Sequence, residues 1–182
     1  MKKVLSILGI IILLSTLTGC GGNTARNAVD MYLKKYKTLD SEVLVDLESI
    51  LEKEGLNDSQ KEKYRNILKK QYKDLSYEIL EEEYDENVSY VTVKIEVYDL
   101  SKAQNDASIY LQNNSEEFND ETGIYDSSKY LDYKLEQMQN MNDRVDYTII
   151  FTVTKENDKY VISQPTENDL KKIHGIYNYD LD

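Results

Sequence analysis

The chain carries one histidine, His174, and one cysteine, Cys20, so side-chain chemistry has few of its usual instruments. A His/Cys metal cluster cannot be built from one of each. No Gly-x-Ser-x-Gly turn presents a serine nucleophile, and no glycine-rich phosphate loop exists; only Gly55 and Gly123 lie between Asn23 and Ser128. His174 falls at a predicted helix end, where the dipole favours a cation, and a structural role is expected of it. Oxygen ligands are better supplied. Glu116, Glu117, Asn119, Asp120, Glu121 and Asp126 crowd one polar segment with the hard ligands calcium takes. Gly123 is out of register for an EF-hand loop, since the position five residues earlier is Phe118, and the segment reads as a solvated loop. Glu81-Glu82-Glu83, with Asp85 and Glu86, forms a second cluster at an expected hairpin tip, where charge discourages edge-to-edge pairing. No catalytic residue, metal or other cofactor is assigned from these patterns.

The remaining candidate is Cys20, and its setting is specific. Met1-Lys2-Lys3 is a short basic start, and Val4 to Thr18 is an apolar run interrupted only by Ser6, Gly9, Ser15 and Thr16. Small residues follow, in the layout of a secretory signal. The run is shorter than the roughly 20 apolar residues a spanning helix needs. Leu17-Thr18-Gly19-Cys20 resembles the lipobox of bacterial lipoproteins, with a branched apolar residue three positions before the cysteine and a small residue next to it. The resemblance implies recognition of Leu17, Thr18 and Gly19 by a signal peptidase. It also implies lipid on the Cys20 sulfur and removal of residues 1–19. Two acyl chains hold a protein stably on a bilayer where one is marginal. The expected location is therefore the cell membrane, lipid-anchored on its extracytoplasmic face. Only Gly21, Gly22 and Asn23 separate Cys20 from Thr24, a candidate helix cap. At up to about 3.5 Å per residue this tether reaches roughly 15 Å, so the domain rides close to the bilayer.

Without its signal the chain has 20 basic and 34 acidic residues, a net charge of −14. A nucleic-acid partner needs a basic stripe, and none is present. The charge repels anionic headgroups, so acyl chains must supply the membrane affinity. With Cys20 acylated, no disulfide can form within a monomer. A chain of this length buries about 70% of the surface its unfolded form exposes and does not require one. Sixteen Tyr and no Trp leave two readings open, an amphipathic binding surface or AT-rich codon usage.

Periodicity supplies the elements. Ala25, Ala28, Val29, Tyr32, Leu33 and Tyr36 repeat at helical spacing over 25–38. A second helix, capped by Asp40 or Ser41 and stopped by Gly55, carries Val43, Leu44, Leu47, Ile50 and Leu51 on one face. A third opens at Asp58 or Ser59, with Ser59 and Glu62 at capping-box spacing, and ends near Lys73; Tyr64, Ile67, Leu68, Tyr72 and Leu75 are its expected buried stripe. The period then changes to two. Residues 76–84 and Val88 to Leu100 form a hairpin with Val91, Val93, Ile95 and Val97 inward and Tyr90, Thr92, Lys94, Glu96 and Tyr98 outward. A helix from Ser101 to about Asn113, a loop from Asn114 to Ser127 and a helix capped by Ser127 or Ser128 come next. A second hairpin has Val145, Tyr147, Ile149, Phe151 and Val153 on one face and turns at Glu156-Asn157-Asp158. Pro165 ends it, and Thr166 or Asn168 caps a last helix that Gly175 stops. The expectation is one α+β domain over 25–182, an antiparallel four-stranded sheet with helices packed on one face.

The helix containing Ala28-Val29-Asp30-Met31-Tyr32-Leu33, directly after a lipobox, resembles the small lipoproteins of the nuclear-transport-factor-like (cystatin-like) superfamily. The match extends over the opening helices and the curved antiparallel sheet. It departs at 101–142, where a helix pair separates the hairpins. Some enzymes of that fold use an Asp base and a Tyr oxyanion donor in the sheet's concavity. By resemblance Tyr90, Tyr98 and Tyr147 are possible pocket-lining residues for a small-molecule hydrolase or isomerase. The leading expectation is a non-enzymatic binding or protein-interaction module, with an envelope protein or small ligand as partner.

Overall fold

A computed structural model of the protein describes residues 23–178. The signal, the lipobox Leu17-Thr18-Gly19-Cys20 and residues 179–182 lie outside the described residues. The element order is α1 (Ala25–Thr38), α2 (Ser41–Lys53), α3 (Asp58–Lys73), β1 (Ser76–Asp85), β2 (Val88–Tyr98), α4 (Leu100–Asn113), α5 (Ser127–Asn140), β3 (Arg144–Glu156), β4 (Lys159–Ile162) and α6 (Glu167–His174). The strands form one open antiparallel sheet in the order β1-β2-β3-β4. The fold is α+β, as the periodicities imply.

The sheet is organised by its central pair. β2 and β3 stay in unbroken register from Val88↔Thr154 to Tyr98↔Arg144. Side chains alternate across a strand, so one face collects Val91, Val93, Ile95 and Val97 from β2 and Tyr147, Ile149, Phe151 and Val153 from β3. All eight are buried. Helix α1 lies over this face with Ala25, Val29, Leu33 and Tyr36 buried against it. Two bonds tie α1 to the edge strand β1: Arg26 Nη2 donates to the Ile79 carbonyl (2.7 Å), and the Tyr77 hydroxyl donates to Asp30 Oδ1 (2.7 Å). Next to Ile79, Leu80 is bulged out of register and 47% exposed. A bulge twists an edge strand and discourages further pairing.

Helix ends follow local chemistry, with three corrections to the expected caps. Thr24 caps α1 by accepting from Asn27 N (3.2 Å), and Asp40 caps α2 by accepting from Glu42 N (3.0 Å). On α3 the capping box is made by Asn57 and Gln60, not by Ser59 and Glu62. Gln60 is itself buried, and its amide reaches forward to Ser128 Oγ (3.0 Å), so one side chain caps α3 and docks the start of α5. Glu62 instead pairs with Arg65. Helix α4 begins at Leu100 under an Asp99 cap, where Ser101 was the expected start. Helix α5 is capped by Asp126, which accepts from Ser128 N (2.9 Å), rather than by a serine. A carboxylate is an acceptor that need not also place a hydroxyl proton, which suits it to these orphan amides.

Between β2 and β3 the chain leaves the sheet. Helices α4 and α5 pack on each other, and α5 packs on α3. The expected loop between them is partly ordered by Phe118. A short 3₁₀ turn, Ser115–Phe118, drops that ring into a cluster of Tyr110, Tyr130 and Tyr133 at centroid distances of 5.5–6.2 Å. An isolated Phe among acidic residues leaves no periodic trace, which is why the sequence reads as loop.

The C-terminal helix closes the junction where these layers meet. Its cap, Gly175, has φ of 72°, and its carbonyl accepts from Ser101 N (2.8 Å). A Cβ on Gly175 would collide with the Gln71 amide and the Tyr98 carbonyl, whereas at Gly55, φ 65°, it would meet nothing. Comparing the two separates conformational strain from collision. Gly55→Ala should cost about 1 kcal/mol, and Gly175→Ala about 2–4 kcal/mol because backbone must also move. Urea unfolding midpoints check this; equal losses at the two positions would refute the tight junction.

Candidate functional site

The tyrosines proposed to line a pocket do not share one. Tyr90 and Tyr98 stand on the outward face of β2, while Tyr147, paired with Ile95, points into the core and is 2% exposed. Even and odd positions of paired strands cannot converge from opposite faces of a sheet. Tyr90 is 37% exposed, opposite Thr152 and beside the Thr92–Ile150 pair. The Tyr147 hydroxyl donates to the Tyr177 carbonyl (2.9 Å), which ties the C-terminal segment to β3.

Tyr98 is the most elaborated of the three. Lys70 Nζ lies 4.5 Å from its ring centroid and the Arg144 guanidinium 4.7 Å. Its hydroxyl donates to Asp74 Oδ2 (2.9 Å), and this bond holds the phenol above its usual pKa. Its backbone is gripped by the buried Gln71, which accepts from Tyr98 N (2.9 Å) and donates to Tyr98 O (3.3 Å). Gln71 thus completes the end of β2 with side-chain hydrogen bonds. Arg144 also meets Glu96 (3.2 Å), whereas no carboxylate is paired with Lys70 among the described residues.

Beside Tyr98, between α3 and α5, is a cavity of about 100 Å³ lined chiefly by Ile67, Leu100, Met138 and Met141, with Lys70 and Gln139 at its rim. A second, of about 110 Å³, lies across Met138 and includes Leu131, Leu135 and Tyr64. Helical spacing in the sequence puts Met138 and Met141 on one face of α5 with Leu131 and Leu135. The same spacing misses Lys70, which sits on the polar side of α3 and carries no pattern that distinguishes it from its lysine neighbours.

His174 has the structural role expected of it, as a neutral ring and not as the cation the helix dipole by itself would favour. It is buried, and its Nδ1 shares a hydrogen bond with the Tyr72 hydroxyl (2.9 Å). Loss of solvent pushes its pKa down to about 4, so it is neutral at physiological pH. Burial outweighs the dipole, whose influence on a terminal cation is typically below about 1 kcal/mol. The pair belongs to a run of rings in contact, His174–Tyr72–Tyr36–Tyr32–Phe151, with centroid spacings of 5.2–5.7 Å. This run joins α6, α3 and α1 to the sheet. Tyrosine here serves packing, and Tyr36, Tyr64, Tyr72 and Tyr147 are all buried.

In the acidic loop, Asp120 Oδ1 accepts from Thr122 N (2.8 Å), Thr122 Oγ1 (2.6 Å) and Ile124 N (3.0 Å), so that carboxylate holds its own turn. Among the described residues no group of three or more His, Cys, Asp or Glu is arranged to hold a metal ion, and no helix is long and apolar enough to cross a membrane. Compared with protein-family models, curated proteins and solved structures, the chain has no significant match.

The buried imidazole makes a signed prediction. A group whose folded pKa is depressed favours the folded state above its unfolded pKa of 6.5, and that contribution is lost as pH falls toward 4. Over this window it amounts to roughly 3 kcal/mol. The wild-type protein should therefore lose more stability between pH 7 and 4.5 than His174→Gln. Imidazole NMR shifts should show no protonation near pH 6. A titration midpoint at the ordinary histidine value would overturn the assignment.

Proposed function

We propose that the protein is a lipid-anchored extracytoplasmic module that binds a partner or small ligand without transforming it. One observation carries the non-catalytic part of this reading: the side chains best suited to acid–base work are engaged in structural bonds. His174 is buried on Tyr72, Tyr147 donates to Tyr177, and Asp120 is bound to its own loop. A catalytic base must reach a substrate proton in a usable protonation state, and a buried neutral imidazole bonded to a core tyrosine does not meet that need.

The lipobox resemblance supports the anchor, and the position of the first described residue supports a particular attitude on the membrane. The Asn23 side chain donates to the Asp158 carbonyl in the β3–β4 turn. The β1–β2 turn is adjacent, since Lys155 N donates to the Asn87 carbonyl (2.9 Å). A lipid on Cys20 would therefore set both hairpin tips beside the bilayer. Asp85, Glu86, Glu156 and Asp158 at this end would repel anionic headgroups, leaving attachment to the acyl chains. The outward face of the sheet would stand roughly along the membrane normal, bearing Tyr90, Thr92, Ile150 and Val161. Exposed apolar side chains grouped on one face mark interaction surfaces.

Two measurements test the proposal. In a bacterial host the full chain should incorporate an alkyne-tagged fatty acid and sediment with membranes. Cys20→Ser should abolish the label and retain residues 1–19; an unlabelled wild type would remove the anchor from the proposal. A thermal-shift panel of divalent cations, sugars, wall fragments, amino acids, basic peptides and lipid headgroups tests the binding role. A ligand at 100 times its dissociation constant stabilises by about 2.7 kcal/mol, a shift of several degrees. Recovery of a chemically altered ligand would overturn the non-catalytic reading.

A further inference from the structure

The cavity beside Tyr98 combines features that point to one class of ligand. Its walls are aliphatic and thioether, from Ile67 on α3, Leu100 on α4, and Met138 and Met141 at the end of α5. Its rim carries the Lys70 ammonium together with the amides of Asn66 and Gln139. The Lys70 cation is the element of this lining that points to an anion. Eight of the described lysines form salt bridges with carboxylates, and Lys70 is not among them. Arg144, which shares the Tyr98 ring, has Glu96 at 3.2 Å. Lys70 lies over the Tyr98 ring face at 4.5 Å with no carboxylate of the described residues at salt-bridge distance, and the Asp74 carboxylate sits at the hydroxyl end of that ring. A ring quadrupole attracts a cation without cancelling its charge, so the Lys70 ammonium is held at the mouth of an apolar recess.

We infer that this recess binds a small aliphatic monocarboxylate, its chain among Ile67, Leu100, Met138 and Met141 and its carboxylate at Lys70. The volume sets the size. An apolar protein cavity of about 150 Å³ takes a benzene molecule, so one of about 100 Å³ admits a tail of three or four carbons. The Gln139 amide has donors for the carboxylate oxygen that Lys70 leaves open, and the Asn66 amide, which gives one N–H to Glu62 Oε1 (3.2 Å), has a second. Methionine walls adapt to such a tail at low cost, because the thioether is unbranched and polarizable. The opposite end is closed by Met138, whose Sδ accepts a weak hydrogen bond from the Gln104 amide (3.7 Å) and which lines the second cavity as well.

The inference rests on the reading of a module that binds without turnover, and the test keeps the two apart. The full chain, in nanodiscs of zwitterionic lipid, is labelled with ¹³C at methionine methyls and titrated with butyrate. The Met138 and Met141 methyls should shift saturably, while Met31, 56% exposed on α1, should not. Butanol, with the same chain and no charge, should bind at least tenfold more weakly. Octanoate, too long for the recess, should also bind more weakly. Lys70 is exposed, so Lys70→Gln should fold normally and lose the butyrate response, and Lys70→Arg should keep it. Equal shifts with butanol, equal affinity for octanoate, an undiminished response in Lys70→Gln, or no saturable shift at Met138 and Met141 would each overturn the site. Consumption of butyrate would overturn the binding-only reading while leaving the site in place.

Discussion

The structure depends on the unbroken antiparallel pairing of β2 with β3. Because the register holds from Val88 to Tyr98, every second side chain of both strands is committed to one face, and eight apolar or aromatic residues are brought into a continuous buried surface. A one-residue slip would exchange Val91, Val93, Ile95 and Val97 for Tyr90, Thr92, Lys94 and Glu96. It would bury a lysine and a glutamate and strip α1 of its seat. Pairing and burial therefore enforce each other, and the inner face they make is the surface on which α1 packs.

Polar side chains placed inside that framework act as joints. Gln60 caps α3 and reaches α5, Gln71 closes the end of β2, and His174 meets Tyr72 across the core. Each satisfies groups that burial would otherwise leave unpaired, at a cost of roughly 1–3 kcal/mol apiece. Gln71 and His174 act near Tyr98 and Gly175, where β2 ends, α4 begins and α6 stops, while Gln60 acts at the far end of α3. This junction is also where the recess under Lys70 lies. Packing three helices and a strand end around one corner leaves less complete filling than laying a helix along a sheet, and flexible methionines occupy the gap.

The same organisation separates the protein's surfaces by role. The hairpin tips lie at the end where Asn23 meets Asp158, the helices cover the inner face, and the outer face of the sheet is open. Charge is distributed in keeping with this: the acidic turns flank the N-terminal end, while the open face carries threonines with Tyr90, Ile150 and Val161 at one end and the Lys94–Asp146 and Arg144–Glu96 ion pairs at the other. A binding role is compatible with such a division, because the rigid sheet can present a surface without any group being released from the core.

The local elements were legible in the sequence because their signals are local. Stripes such as Val29, Leu33 and Tyr36, or Val91 through Val97, follow the periods of helix and strand. Thr24, Asp40, Thr166 and Gly175 announce helix ends by chemistry that needs only neighbouring residues. The sequence also determined the charge, the single histidine and the position of Cys20. Tertiary structure decided everything that requires two distant segments to meet. It chose Asn57 over Ser59 as a cap because Gln60 is drawn inward toward Ser128, and it gave Phe118 a cluster of tyrosines to fill. It set Tyr147 against Tyr90 and Tyr98 across the sheet, since only the β2–β3 register relates their faces. It made His174 a neutral core residue where the helix dipole alone would favour a cation, because desolvation depends on what surrounds a side chain and not on the residues beside it in the chain. Lys70 acquired its significance in the same way, from a cavity that exists only where α3, α4 and α5 come together.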